Sequence, residues 1–264
     1  MKALIFTVVT FGLLNCFLAF PKIVSAEERI FVTGSDWCPY ICTRPDNPQA
    51  LSENPGYLIE LLKLSLDIDE VRYESPSWKR AILGARSGEY DAIIGIYASE
   101  APDLIYSKNA VGISRMCFYV KQNNPWTYQG VESLNEITLG VINGYNYDEG
   151  VVDVYIKENK KNGRVESIPG NIGLTQNLRK LLLDRVSAII DDQQVVEYTN
   201  NLQQAPLSLK NAGCLEGIDA HIGFSPANPR SKEYAKKLAQ TVEKARQTGK
   251  LKALLEKYGI SDWK

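Results

Sequence analysis

Short apolar runs alternate with amphipathic stretches along most of this chain. Residues 29–33 form a β-rich run, and residues 57–66 place Leu58, Leu61 and Leu62 on one face at helical spacing. Residues 71–73 predict a second strand, and residues 78–86 a second helix ending near Gly88. Ala92-Ile93-Ile94 predicts a buried strand that stops at Gly95. The second half follows the same plan. Residues 138–142 predict a strand, Asn143-Gly144-Tyr145-Asn146 a polar turn, and residues 147–156 a helix. Leu174, Leu178, Leu181 and Leu182 mark a helical face before the strand Ala188-Ile189-Ile190, which stops at Asp191-Asp192. Near the C-terminus, Asn228-Pro229 reads as an N-cap with proline in the first turn. Tyr234, Leu238 and Val242 form a stripe, and Leu251, Leu254, Leu255 and Tyr258 mark a final helix that Gly259 caps.

Alternating strands and helices define an α/β chain. The stretch Asp91-Ala-Ile-Ile-Gly95 echoes Ser187-Ala-Ile-Ile-Asp191, and each follows a helix. Two lobes built alike explain that echo. No low-complexity linker separates the halves, which favours lobes joined by crossover strands.

The first 26 residues have the layout of a secretory signal: Lys2, an apolar run over residues 3–20, and Val24-Ser25-Ala26 as the cleavage site. The alternative is an uncleaved anchor, since about 20 apolar residues span a bilayer. Cys16 as a lipid-modified residue lacks a small residue before it. Export to the periplasm is the reading adopted. The balance of 30 basic and 31 acidic residues leaves no electrostatic footprint for nucleic acid. Cys38, Cys42, Cys117 and Cys214 remain after processing, an even number that favours disulfides in an oxidising compartment. Cys38 and Cys42 can close a local ring. The single histidine, His221, and the absence of a second Cys pair at ligand spacing argue against a metal site. No cofactor is expected.

The ordered set Thr33–Tyr40, Gly56–Leu62, Trp78 with Gly88–Ala92, Tyr106-Ser107, Leu139–Gly144, Val186–Asp192 and Gly249–Gly259 resembles the family-3 extracellular solute-binding proteins. That group includes the polar amino-acid receptors of ABC transporters. The resemblance runs over residues 29–263. It implies two α/β lobes joined by two crossover hinge strands, a type II periplasmic binding protein. Lobe 1 would comprise residues 27–111 and 223–264, and lobe 2 residues 122–210. Residues 112–121 and 211–222 would cross between them. If the crossovers run side by side, Cys117 and Cys214 fall close enough for a second disulfide tying the hinge.

The resemblance also implies site residues. Trp37 and Trp78 match aromatics that line the family's cleft. Gly95 and Tyr97 match a stretch that meets ligand, with glycine allowing close backbone approach. Gly144, Tyr145 and Asn146 precede a helix whose N–H groups could bind an anion, in place of the family's Gly-Thr-Thr. Asp192 matches an acidic residue that pairs with a ligand amino group, and also suits a helix N-cap. Pro102 stands where the family carries an arginine that clamps a ligand carboxylate. Arg80 could supply a substitute positive charge. The expected function is capture of a small, polar, amine-bearing molecule by lobe closure. The chain would then feed an ABC permease or a sensor protein, working as a monomer and not as an enzyme. The alternatives are a dehydratase-like enzyme of the same fold and a ligand-degenerate module that binds a protein.

Overall fold

The computed structural model describes residues 29–263, apart from 69, 170–172 and 204. The signal read over residues 1–26 and Cys16 lies outside the described residues. The first half contains β1 (Arg29–Thr33), the hairpin β2 (Thr43–Arg44) and β3 (Asn47–Leu51), α1 (Tyr57–Leu66), β4 (Glu70–Glu74), α2 (Trp78–Ser87), β5 (Ala92–Tyr97) and β6 (Ile105–Tyr106). Next come β7 (Gly112–Ser114), β8 (Met116–Lys121), a 3-10 turn at Val131–Glu136, β9 (Leu139–Ile142), α3 (Val151–Asn159), β10 (Val165–Ile168) and α4 (Gly173–Leu182). The chain then forms β11 (Ala188–Asp192), α5 (Gln193–Asn201), β12 (Leu209–Cys214), β13 (Ile218–Phe224), α6 (Ser231–Gln247) and α7 (Lys250–Lys257).

The strands make two sheets built alike. One has the order β4-β1-β5-β13-β6, with β7 also beside β13, and the other β10-β9-β11-β8-β12. In each, three parallel strands meet an antiparallel fourth: β13 against β5 in the first and β8 against β11 in the second. The echoing strands β5 and β11 occupy equivalent central places. The chain leaves the first sheet at Arg115, between β7 and β8, and returns to it between Cys214 and Ile218. Ligands of open α/β sheets gather beyond the carboxyl ends of the strands, which here are the ends carrying Tyr97 and Asp192.

Several predicted boundaries move. β5 does not stop at Gly95 but runs on to Tyr97. Gly95 has φ +77° where the register with β13 shifts between His221 and Ile222. It therefore carries a bulge, a backbone conformation only glycine adopts without strain. α6 starts at Ser231 rather than Pro229, because Asn228 is used in a turn. Its Oδ1 accepts from Arg230 N, and its Nδ2 donates to Asp91. Leu182 is exposed, so the buried face of α4 rests on Leu174, Leu178 and Leu181. The 3-10 turn, the hairpin and β10 carried no clear apolar period and went unpredicted.

One apolar cluster joins β1, α1 and α6 to the α4 and α5 side of the second sheet, including Tyr40, Tyr57, Cys117, Ile189 and Val195. A second cluster fills the α3 side, around Phe118, Leu139, Tyr147 and Ile190. Both expected disulfides are present. Cys38–Cys42 has a Cα–Cα distance of 4.5 Å, and Cys117–Cys214 has 4.0 Å. The second bridge links directly opposed residues of β8 and β12, beside both chain passages.

Unfolded, unreduced protein starting at Glu27 should show no free thiol. Replacing Cys117 and Cys214 together by alanine should cost about 2–5 kcal/mol, because the bridge closes a long loop. Denaturant unfolding checks the second value, and four free thiols would contradict the first.

Candidate functional site

β11 delivers Asp192 to the carboxyl edge of the second sheet, where it caps α5. Its Oδ1 accepts from the backbone N–H of Gln194 at 2.9 Å and Val195 at 3.1 Å. Its Oδ2 accepts from Ser114 Oγ at 2.8 Å and from Arg115 N at 3.2 Å. The Tyr40 hydroxyl lies 3.3 Å from both carboxylate oxygens and 3.0 Å from the Ile113 carbonyl oxygen. Tyr97 extends the network by donating to Ser114 Oγ at 2.9 Å. Asp192 is 0% exposed, so in this conformation its carboxylate is fully enclosed by its own chain. Burial lifts its pKa to about 6, against the pull of the Ser114, Val195, Gln194 and Tyr40 bonds. Burial first, and then the Asp192 charge, pushes the Tyr40 hydroxyl well up.

Asp191 is equally buried but poorly partnered. One oxygen accepts from Asp192 N at 2.8 Å, and Oδ2 has no hydrogen-bond partner. Burial, with Asp192 adding repulsion, raises its pKa to about 7.

The aromatic wall of the first lobe packs on itself. Trp37 stacks on Tyr40 with centroids 3.9 Å apart and ring planes 12° from parallel. A Cβ at Gly95 would lie 3.1 Å from the Trp37 ring. The close approach allowed by Gly95 is thus taken by this indole, which corrects the expectation that the glycine lies open to ligand. Trp78 starts α2 and donates from Nε1 to Glu100 Oε1 at 2.8 Å, while Glu100 Oε2 accepts from Tyr97 N at 3.2 Å. Burial raises the Glu100 pKa against these two bonds. Arg80 does not join them. It is exposed, its Nε donates to Ser77 Oγ at 3.3 Å, and its charge acts on Tyr90, at the far end of β5 from Gly95. The substitute positive charge expected from Arg80 is absent from this group.

The turn after β9 departs most from expectation. α3 begins at Val151, not Tyr147, because the intervening residues wrap around two carboxylates. Asp148 accepts from Gly150 N, Val152 N and Asp153 N at 2.8, 2.9 and 3.2 Å. Asp153 accepts from Tyr147 N, Asp148 N and Glu149 N, each at 3.0 Å to Oδ2. The N–H groups leading into α3 are therefore largely taken by the chain's own acids, and within the turn Tyr145 N donates to Ile142 O. Gly144 is exposed with φ +85°, and Asn146 Oδ1 accepts from Glu149 N at 3.0 Å. Tyr145 is partly buried. Its ring packs against the cluster around Phe118 and Tyr147, and burial first, then the charges of Asp191 and Asp36, raises its hydroxyl pKa. Ser99 Oγ donates to Glu149 Oε1 at 2.6 Å and ties the rims of the lobes directly. An open groove of about 530 Å³ runs past Tyr145 and Asn146 to Val154 and Lys157.

Contacts through Tyr40, Glu100 and Ser114 thus link Trp37, Trp78, Gly95, Tyr97 and Asp192, while Tyr145 stands at the turn after β9 beside Tyr147. Sequence reasoning missed Ser114, Asp148, Asp153 and the separate character of Asp191, and offered Glu100 only as a carboxylate for the enzyme alternative. The Asp191-Asp192 pair and the acids flanking the start of α3 were the available signals. Among the described residues no group of three His, Cys, Asp or Glu side chains is placed to hold a metal. His221 packs edge-on against Tyr106, with centroids 5.4 Å apart.

No protein-family model and no curated protein sequence matches this chain. Solved structures do. A histidine kinase sensor domain similar to periplasmic binding proteins has a TM-score of 0.63 and 17% identity, covering 88% of this chain and 96% of its own. A mutant arginine-binding protein from T. maritima has a TM-score of 0.64 and 16% identity over 87% and 94%. An ancestral amino-acid-binding protein, a precursor of cyclohexadienyl dehydratase, has 0.60 and 15% over 87% and 95%. The fold is therefore that of the type II periplasmic binding proteins. At this identity the likeness extends to the fold and not to the ligand.

Both buried aspartates have pKa values raised above the ordinary 3.8. The native state then holds more protons than the unfolded chain between about pH 4 and 7, so their contribution to stability is full below pH 4 and is lost as pH rises through 7. Asp191→Asn should raise stability at pH 8 by about 1–3 kcal/mol and flatten the slope between pH 4 and 7. Thermal unfolding across pH checks this, and an unchanged slope contradicts it.

Proposed function

We propose that this chain is an exported solute-binding protein that encloses a small, polar, amine-bearing molecule between its lobes. The observation that supports this best is the position of Asp192. It sits where the chain crosses between sheets, bonded to groups from the Tyr40 loop, the Ser114–Arg115 passage and α5. A carboxylate so placed couples occupancy of the cleft to the angle between the lobes, the requirement for hinge closure. Residues 27–111 with 223–264 serve as one lobe, residues 122–210 as the other, and residues 112–121 and 211–222 as the hinge. The closed form acts as a monomer in the periplasm, delivering its ligand to an ABC permease or reporting it to a sensor. Trp37, Trp78, Tyr97 and Tyr145 supply the walls. Binding rather than catalysis is favoured because the Asp192 carboxylate is bonded throughout and has no free oxygen position for proton transfer.

A second reading has specific support. Tyr40 and Ser99 close the lobes with the chain's own groups, as a module without a solute would. A thermal-shift screen of the protein starting at Glu27 separates the two. A ligand at about 100 times its Kd adds about 2.7 kcal/mol of stability. A saturable shift that is lost in Asp192→Ala is the expected result. No shift with amino acids, amines, small carboxylates or aromatic acids would favour the second reading, and turnover of a cyclohexadienyl acid would revive an enzyme.

A further inference from the structure

We infer that the cavity behind the Asp192 junction is a second binding site, for a small zwitterion that carries a carboxylate and an ammonium group. The site stands apart from the cleft of the reading above, and only its effect on lobe closure rests on that reading.

Three segments wall a cavity of about 270 Å³: Ile113 and Arg115 of the passage between sheets, α5 through Gln194 and Glu197, and the tail after α7 that ends in Trp263. Side chains alternate along β7. Ser114 turns its hydroxyl to Asp192, so Ile113 beside it faces the other way. Ligand pockets run from about 300 to 1,000 Å³, so this one admits a molecule of amino-acid size. The tail wall is anchored on α6 and α7. Asp262 accepts from the Arg246 guanidinium at 2.7 and 2.9 Å, and Ile260 N donates to Leu255 O at 3.0 Å. Arg246 Cζ also stands 5.1 Å from the centroid of the Trp263 ring, which holds the indole in place.

The walls carry polar groups of both signs. Gln194 Oε1 is buried without a hydrogen-bond partner, and a buried acceptor left in that state is costly until a donor reaches it. Among the described residues the Arg115 guanidinium has no hydrogen-bond or ion-pair partner. The Glu197 carboxylate meets the Gln193 side-chain amide at 2.9 Å. The first N–H groups of α5 are taken: Gln193 N donates to Arg115 O, and Gln194 N and Val195 N donate to Asp192. A ligand anion is therefore held by Arg115 and not by the helix terminus. A carboxylate suits the guanidinium, an ammonium group suits Gln194 Oε1 and Glu197, and Ile113 and Trp263 cover the carbon between them.

The same residues serve the junction through their backbones. The Ile113 carbonyl accepts from the Tyr40 hydroxyl at 3.0 Å, and Arg115 N and Gln194 N donate to Asp192 at 3.2 and 2.9 Å. An occupant that spans the tail and α5 fits the arrangement in which these walls face each other, and it loses one wall when the lobes part. It therefore favours closure.

Calorimetry of the chain starting at Glu27 with glycine, serine, β-alanine and γ-aminobutyrate tests the site. At least one should bind, and Arg115→Gln and Glu197→Gln should each weaken it about tenfold or more while the circular dichroism stays native. Binding should also change tryptophan emission, and Trp263→Phe should remove that change. Hydrogen exchange at the Gln194 and Val195 amides should slow on binding. A probe that binds both charge variants unchanged lies elsewhere, which would overturn the inference and leave the cleft reading standing. Binding with unaltered exchange at those amides would overturn the effect on closure. No saturable binding by any of the four at millimolar concentration would overturn the site, whatever the thermal-shift screen shows for the cleft.

Discussion

A carboxylate with no surface open to water must find its solvent inside the protein, and Asp192 organises this structure because it does so. Desolvating an ion costs several kcal/mol, which only well-aligned donors offset. Asp192 collects four, two N–H groups of the first turn of α5 and the Arg115 N–H and Ser114 hydroxyl of the passage between sheets, and shares the single Tyr40 proton with the Ile113 carbonyl. No single segment could supply them. The loop after β1, the crossover and the start of α5 are thus held in register by one side chain, and Tyr97 joins them through Ser114. Loss of any donor leaves a buried charge underserved, so the junction is either assembled together or opened together.

The local chemistry of the Tyr40 loop serves the same junction. Trp37 and Ile41 exchange backbone hydrogen bonds, Tyr40 N donates to Trp37 O, and the Cys38–Cys42 bridge closes the ring. Those bonds fix the direction in which Tyr40 leaves the backbone, and the Trp37 stack fixes its ring plane. A phenol delivered this way loses little further entropy on reaching Asp192. At the other rim, the turn around Asp148 and Asp153 holds Glu149 at φ +52°, and Glu149 accepts from Ser99. Both rims are therefore shaped by short-range bonding within one turn before they meet across the cleft.

Those short-range arrangements also decide what could be read from the sequence. Strands β1, β5 and β11 and helices α1, α2 and α4 were legible because burial imposes a period on them, and the echo between β5 and β11 marked two sheets of one plan. The disulfides were legible because the crossover placed Cys117 beside Cys214. What escaped depended on side chains bonding to nearby backbone. Asp148 and Asp153 delay α3 by a turn, Asn228 delays α6, and neither effect has an apolar signature. At the site, matching positions singled out Asp192 and Trp37, which both lie against Tyr40. Matching could not show that Trp37 covers Gly95, that Arg80 faces away, or that Asp191 Oδ2 lacks a partner, since each depends on which way a side chain turns.

A cleft closed by its own groups changes what affinity means. If Tyr40 and Ser99 hold the lobes together, a ligand must first draw on the open population, and the apparent affinity falls by that fraction. The bonds involved are each worth roughly 1–2 kcal/mol net, so a closure of a few kcal/mol would weaken binding on the order of tenfold to a thousandfold. The same closure has a selective effect. A solute whose contacts do not outweigh the Tyr40 and Ser99 bonds it displaces is excluded, whatever its intrinsic fit. The junction around Asp192 would then act as a threshold that any ligand must repay.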